Sequence, residues 1–205
     1  MSFNNDGYEV VPNFLQSLGI DIDLVEKYFK SKFLNSYNKE CTTFPIIGKG
    51  ESYFYADELM EVVLERSVPL VENIVGKKIF PCYSYTRQYV KGNELPIHKD
   101  RKSCEISATL SISFEGSEIN PIYFSDYKNG DDAAEILLNP GDMCLYKGID
   151  LWHWRPPIKN EWYIQSMLHF VDAEGPYAHL KYDRRQHLGE RKGHISVKLD
   201  RPHPP

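Results

Sequence analysis

The sequence lacks an apolar run of the roughly 18 residues that a bilayer-crossing helix needs. Its opening, MSFNNDGYEV, also lacks the basic-then-apolar build of a secretion signal. A cytoplasmic protein without a membrane partner is the expectation. Positive charge is likewise short: 24 Lys and Arg stand against 29 Asp and Glu, for a formal net charge of -5. The tail from Ala173 onward holds seven Lys or Arg against four Asp or Glu, so the body before it is more acidic still. Such a body argues against nucleic acid as partner. Cysteine is sparse. Cys41, Cys82, Cys104 and Cys144 form no CxxC pair, which sets aside a zinc knuckle or a thioredoxin-type site. Free core thiols in a reducing compartment are expected. No internal repeat or low-complexity segment appears.

What is present is an ordinary globular composition rich in aromatics, 41% hydrophobic with 14 Tyr and 10 Phe. At 205 residues the chain is long enough for one sizeable core, and a single domain is expected. An opening strand is read over 8–14. A helix over 23–37, capped by Asp21 or Asp23, places Leu24, Tyr28, Phe29, Phe33 and Leu34 at helical spacing. A second helix over 56–75 contains Pro69, which should bend or split it. From Phe80 the period changes to two, with strands expected near 81–91, 104–114, 121–126, 134–139, 143–147, 150–155 and 161–171. This is an α+β pattern, mainly β, with supporting helices over 1–79, a sheet-rich core over 80–172 and a polar tail over 173–205. The tail, with His179, His187, His194 and His203, reads as a surface wrap. A lid is the lesser alternative.

The chemistry concentrates in LPIHKD and NPGDMCLYKGIDLWHWRPP. His98 and Asp100 are two apart, so on a strand an imidazole and a carboxylate would project to one face. His-x-Asp alone is common by chance. A turn at Asn139-Pro140-Gly141-Asp142 delivers a strand, and a second turn returns the chain with His153 on it. Two His and one carboxylate form the facial set of non-haem iron(II) sites, with the remaining coordination positions open. His169, in MLHFVD, is the rival third ligand.

The ordered set YSYTRQYVKGNELPIHKD, CEISATLSISF and NPGDMCLYKGIDLWHW resembles the iron(II)- and 2-oxoglutarate-dependent dioxygenases, in their prolyl-4-hydroxylase-like branch. The resemblance covers roughly residues 80–172, and GYEVVPNFL is similar to the start of such domains. It implies a double-stranded β-helix, a jelly-roll barrel, with the N-terminal helices packed outside one sheet. It implies Fe(II) held by His98, Asp100 and His153, 2-oxoglutarate as co-substrate, and O2. Because related halogenases carry a small residue in place of the carboxylate, Asp100 implies hydroxylation or another oxidation.

The co-substrate's far carboxylate needs a cationic partner, since burying it without one is costly. Where similar enzymes place Arg or Lys on the last strand, this sequence has Trp162 and Tyr163. Tyr85, Arg87 and Tyr89 alternate along one strand and should face one way. In the similar DNA-alkyl-repair dioxygenases the positions of Arg87 and Tyr89 contact 2-oxoglutarate. Arg155, two past His153, is a second candidate, able to clasp a carboxylate through paired hydrogen bonds. Arg101 is a third, for co-substrate or substrate. Trp152, Trp154 and Trp162 either line a substrate pocket or pack at its rim. The functions in view are hydroxylation of a small molecule, an amino acid or metabolite, hydroxylation of a prolyl-type peptide residue, and a non-catalytic β-barrel binding module.

Overall fold

The computed structural model describes residues 2–37 and 52–190. Cys41, His194 and His203 lie outside the described residues. In chain order the elements are α1 (Phe3–Asp6), β1 (Tyr8–Val11), α2 (Phe14–Ser17), α3 (Ile22–Tyr37), β2 (Ser52–Tyr55), α4 (Glu58–Val75), β3 (Ile79–Val90), β4 (Leu95–His98), β5 (Ile106–Glu115), β6 (Ile122–Ser125), β7 (Ala134–Ile136), β8 (Met143–Tyr146), β9 (Trp152–Arg155) and β10 (Trp162–Asp172), with 3-10 turns at Lys102–Cys104 and Ala178–Arg184. The strands form a six-stranded sheet in the order β1-β8-β5-β10-β3-β2 and a four-stranded sheet in the order β4-β9-β6-β7. All the pairings are antiparallel.

The larger sheet has two different faces because its side chains alternate. Ile106, Ala108, Leu110 and Ile112 of β5, with Ile164, Leu168 and Phe170 of β10, meet Val25, Phe29 and Phe33 of α3 and Met60, Val63, Leu64 and Val71 of α4 in the principal core. The helices therefore cover the outside of this sheet, as expected. The opposite face is polar and aromatic, and it looks toward the smaller sheet. Ile122, Phe124 and Ile136 of that sheet pack with Cys144 and Tyr146 of β8 in a second cluster.

Several expectations need correction. On α3 the buried stripe is Val25, Phe29 and Phe33, one turn apart, whereas Leu24 and Leu34 are 62% and 69% exposed. Asp21 supplies the cap, accepting the Asp23 N–H at 2.9 Å. Pro69 does not split α4, which runs unbroken from Glu58 to Val75. That helix is capped by Asp57, whose carboxylate accepts the N–H groups of Leu59 and Met60, each at 3.1 Å. The opening strand stops at Val11, because Pro12 has no N–H to donate and Asn13 turns left-handed with φ 53°. Cys82, Cys104 and Cys144 are free and buried, as expected of core thiols.

The tail wraps β3 as far as it is described. Arg185 reaches inward to the carboxylate of Glu61 on α4 at 2.9 Å, both side chains 2% exposed. Glu61 also accepts the backbone N–H groups of Ser84 at 2.7 Å and Gly189 at 2.8 Å, so one carboxylate joins helix, strand and tail. Removing one member of a buried ion pair strands the other charge. Arg185→Ala is expected to cost about 3–5 kcal/mol, read as a lowered urea midpoint, while Arg184→Ala, at an exposed position, should leave it within about 0.5 kcal/mol.

Candidate metal centre

The site begins with a strand pairing. β4 and β9 are antiparallel, and their register sets His98 directly opposite His153. Side chains opposite one another in such a ladder share a face. The two imidazoles thus converge, with ring centroids 4.2 Å apart. Each ring is oriented from behind. Nδ1 of His98 meets the Pro96 carbonyl at 2.8 Å and Nδ1 of His153 meets the Leu151 carbonyl at 3.1 Å. A carbonyl is only an acceptor, so each Nδ1 carries a proton and in the neutral imidazole each Nε2 offers a lone pair.

Asp100 arrives differently from the expected strand alternation, because β4 ends at His98. Its backbone N–H is donated to the carbonyl of Gly148 at 2.9 Å, which pins the segment against the turn preceding β9. Its Oδ1 then lies 3.6 Å from Nε2 of His98 and 3.5 Å from Nε2 of His153. The ligand atoms of the three residues all fall within 4.8 Å of one another. Burial opposes ionisation of Asp100, but the adjacent His153 and His98 outweigh it and hold the carboxyl well below the usual range. Burial likewise opposes the charged form of His98, yet Asp100 and the Pro96 carbonyl raise its pKa. Two imidazole nitrogens and a carboxylate suit a divalent transition ion.

His169 does not share this set. It belongs to a second group with Asp100 and Cys104, likewise within 4.8 Å, on the other side of the carboxylate. Burial pushes the His169 pKa down to about 4 and the Cys104 thiol up to about 12, so both are neutral near pH 7. The β-ladder separates the rival ligands, since His98 has His153 as its cross-strand partner while His169 lies opposite Tyr83 and Ser107 in the larger sheet.

The three candidate ligands open on a cavity of about 290 Å³, whose wall includes Tyr85, Arg87, Tyr89, Gln165 and Met167. Arg87 and Tyr89 thus reach the cavity together. The guanidinium lies 4.0 Å over the Tyr89 ring and donates to its hydroxyl at 3.3 Å. Arg155 sits behind Gln165, 1% exposed. It donates to the carbonyls of Asn120 and Pro121 and to Oε1 of Gln165, at 2.9 Å for the last two, while its Nε has no partner. Its acceptors are neutral and its guanidinium lies 4.8 Å from the Tyr163 ring centroid, so among the described residues no carboxylate compensates its charge. Arg101 also lines the cavity, and it is held by Asp183 of the tail through two contacts of 3.2 Å. None of the three tryptophans lines the cavity. Lys99 and Lys128 lie over the Trp152 ring, Trp154 stacks on Tyr123, and Trp162 donates to Glu115 at 2.5 Å.

Residues not anticipated from the sequence are Ser107, Gly148 and Gln165. The alternating hydroxyls Ser107, Thr109, Ser111 and Ser113 in ISATLSISF carried the signal, since a polar row on a buried strand implies a polar interior face. The Pro-Gly-Asp turn has a structural role. Asp142 accepts N–H groups from Asn13 at 2.8 Å and Asn139 at 3.0 Å, locking the start of β8 to the N-terminal segment.

This fold is that of the non-haem iron(II)- and 2-oxoglutarate-dependent oxygenases. Among solved structures, the chain is similar to the alpha-ketoglutarate-dependent epimerase SnoN from nogalamycin biosynthesis, at 16% identity and a TM-score of 0.61 over 83% of this chain and 80% of that one. It is similar to a Pseudomonas putida prolyl-4-hydroxylase, at 12% identity and a TM-score of 0.60 over 82% and 94%. HygX from Streptomyces hygroscopicus, solved with nickel and 2-oxoglutarate, matches at 12% identity and a TM-score of 0.61 over 84% and 85%. No protein-family model and no curated protein matches the sequence.

His169 makes the metal-free protein acid-sensitive. Its folded pKa, about 4, lies below the ordinary histidine value of 6.5, so its contribution to stability is complete above pH 6.5 and is lost as pH falls toward 4. The stability advantage of wild type over His169→Gln, measured by urea titration of the apo-protein, should narrow across that interval by at most about 1.4 kcal/mol per pH unit.

Proposed function

We propose that the chain is an iron(II)- and 2-oxoglutarate-dependent dioxygenase, with its two facing sheets forming a double-stranded β-helix in one oxygenase domain. The observation that carries this reading is the convergence of two lone-pair-bearing Nε2 atoms and the Asp100 carboxylate at the mouth of a cavity. His98, Asp100 and His153 would hold Fe(II). When bound, the iron with 2-oxoglutarate and O2 supplies the oxidising power to hydroxylate an unactivated C–H bond, with release of succinate and CO2.

The protein's own part is positioning. The carbonyls of Pro96 and Leu151 accept from Nδ1 of the two His residues, so that in the neutral imidazoles the Nε2 lone pairs are the ones directed to a metal. The far carboxylate of 2-oxoglutarate would lie at the cavity end formed by Arg87, Tyr89 and Gln165. Arg87 is its direct partner, Tyr89 adds a hydroxyl, and Arg155 holds the Gln165 amide while its uncompensated charge favours an anion above it. The aromatic wall of Tyr83, Tyr85 and Tyr146 limits water around the reacting carbon.

The substrate we favour is a small molecule, an amino acid or metabolite. HygX, one of the structural neighbours, was solved with hygromycin B bound. The prolyl-4-hydroxylase neighbour keeps a peptidyl substrate as the second reading. Succinate formation with a metabolite panel against Pro-containing peptides separates the two. A non-catalytic barrel would bind no stoichiometric iron(II), and that result in an anaerobic titration would sink the enzyme reading.

Two variant pairs test the roles. His153→Ala should weaken metal binding at least 100-fold, while His169→Gln should change it less than 10-fold, both by calorimetry. Arg87→Gln should raise the 2-oxoglutarate KM about 10- to 100-fold with a smaller change in kcat. A larger effect from Arg155→Gln than from Arg87→Gln would move the direct contact to Arg155.

A further inference from the structure

Asp100 has two oxygens, and the structure treats them differently. Oδ1 faces Nε2 of both His98 and His153, at 3.6 and 3.5 Å. Oδ2 faces away and accepts the hydroxyl proton of Ser107 at 2.9 Å. Ser107 is fully buried, and its Oγ also lies 3.0 Å from the Cys104 carbonyl and 2.9 Å from Nδ1 of His169. A proton count orders this group. Asp100 and the carbonyl can only accept, and Ser107 has one proton to give them. The imidazole must therefore supply its own, so His169 carries its proton on Nδ1 and donates it to Ser107.

Packing enforces the same arrangement. The space beside Gly148 is closed on three sides: a Cβ there would come within 2.2 Å of the Cys104 carbonyl, 2.6 Å of Asp100 Oδ2 and 2.7 Å of Ser107 Oγ. Only glycine fits, and its carbonyl in turn holds the Asp100 backbone. The carboxylate cannot slide toward that turn, and its inner oxygen is occupied.

We infer that Ser107, donated to by His169, is a positioning residue that keeps Asp100 a one-oxygen ligand and so keeps open the coordination position a chelating co-substrate needs. The inference rests on the proposed function, in which His98, Asp100 and His153 hold the metal. A carboxylate gripping through both oxygens would occupy a further position on the ion, at the expense of a second ligand with two donor atoms. Without the Ser107 proton, Oδ2 loses the hydroxyl donor that faces it, and a bound metal becomes a competing partner for that oxygen.

This arrangement predicts a dissociation between two binding steps. Using the intact chain anaerobically, Co(II) is titrated first and 2-oxoglutarate is then titrated into the Co(II)-loaded protein, both by calorimetry, with the visible Co(II) spectrum recorded. For Ser107→Ala the Co(II) affinity should stay within about threefold of wild type, while 2-oxoglutarate affinity falls at least 10-fold and the Co(II) spectrum changes before 2-oxoglutarate is added. Ser107→Thr, which keeps the hydroxyl, should restore 2-oxoglutarate affinity, and His169→Asn, which keeps a donor near the Nδ1 position, should lie between. Equal 2-oxoglutarate affinity in wild type and Ser107→Ala overturns the inference. So does parallel loss of Co(II) and 2-oxoglutarate binding in a Ser107→Ala protein whose thermal midpoint is unchanged. If wild type binds Co(II) but not 2-oxoglutarate, it is the functional proposal that fails.

Discussion

The backbone pairing of β4 with β9 is the constraint on which the site depends. It places His98 opposite His153, so the two imidazoles converge on one point. The hydrogen bond from the Asp100 N–H to the Gly148 carbonyl then extends this alignment past the end of the strand. A three-residue constellation is thus held mainly by main-chain contacts. That gives it the rigidity of the sheet, because each backbone bond is supported by its neighbours in the ladder.

The larger sheet separates stability from chemistry by its pleat. One face is an apolar floor for α3 and α4, with Phe29 and Leu64 fully buried, and such burial is worth about 1.5–3 kcal/mol for each large side chain. The other face carries Tyr83, Tyr85, Arg87, Tyr89, Gln165 and His169 toward the cavity. Polar and charged groups can be kept on that face because the helix side bears the hydrophobic load. The uncompensated Arg155 and the unpartnered hydroxyls of Thr109 and Ser111 are costs that such a scaffold can carry.

The tail connects the two. Asp183 holds Arg101 at the cavity and accepts a hydrogen bond from the Tyr55 hydroxyl at 2.6 Å, while Arg185 is tied to Glu61 beneath α4. Tyr182, Asp183 and Arg184 all adopt positive φ, a conformation that L residues hold only when their surroundings impose it. The segment read from its composition as a polar surface wrap is therefore anchored by two buried charged residues. Composition could not reveal this, since Asp and Arg look equally solvated until their partners are known.

Periodicity made much of the architecture legible. The change from helical to alternating spacing near Phe80, the two long helices and the later strands all follow from where apolar side chains must go, and the His98, Asp100 and His153 set could be picked from motif order. Sequence left β4 unread as a strand, because Pro96 and the polar residues around it mask the alternation in LPIH. Helical spacing also grouped Leu24 and Leu34 with Phe29 and Phe33 although both leucines are exposed, since a helix with apolar residues on several sides does not announce which side meets a partner. By itself, then, the sequence determined the element types and the chemical identity of the candidate ligands, which are properties of local spacing and of side chains. Tertiary structure alone decided that the Gly148 carbonyl holds Asp100 past the end of β4, that Arg87 lines the cavity while Arg155 does not, and that Ser107 meets Asp100. Those choices are made by strand register and by contacts between segments far apart in the chain, and local spacing carries no information about either.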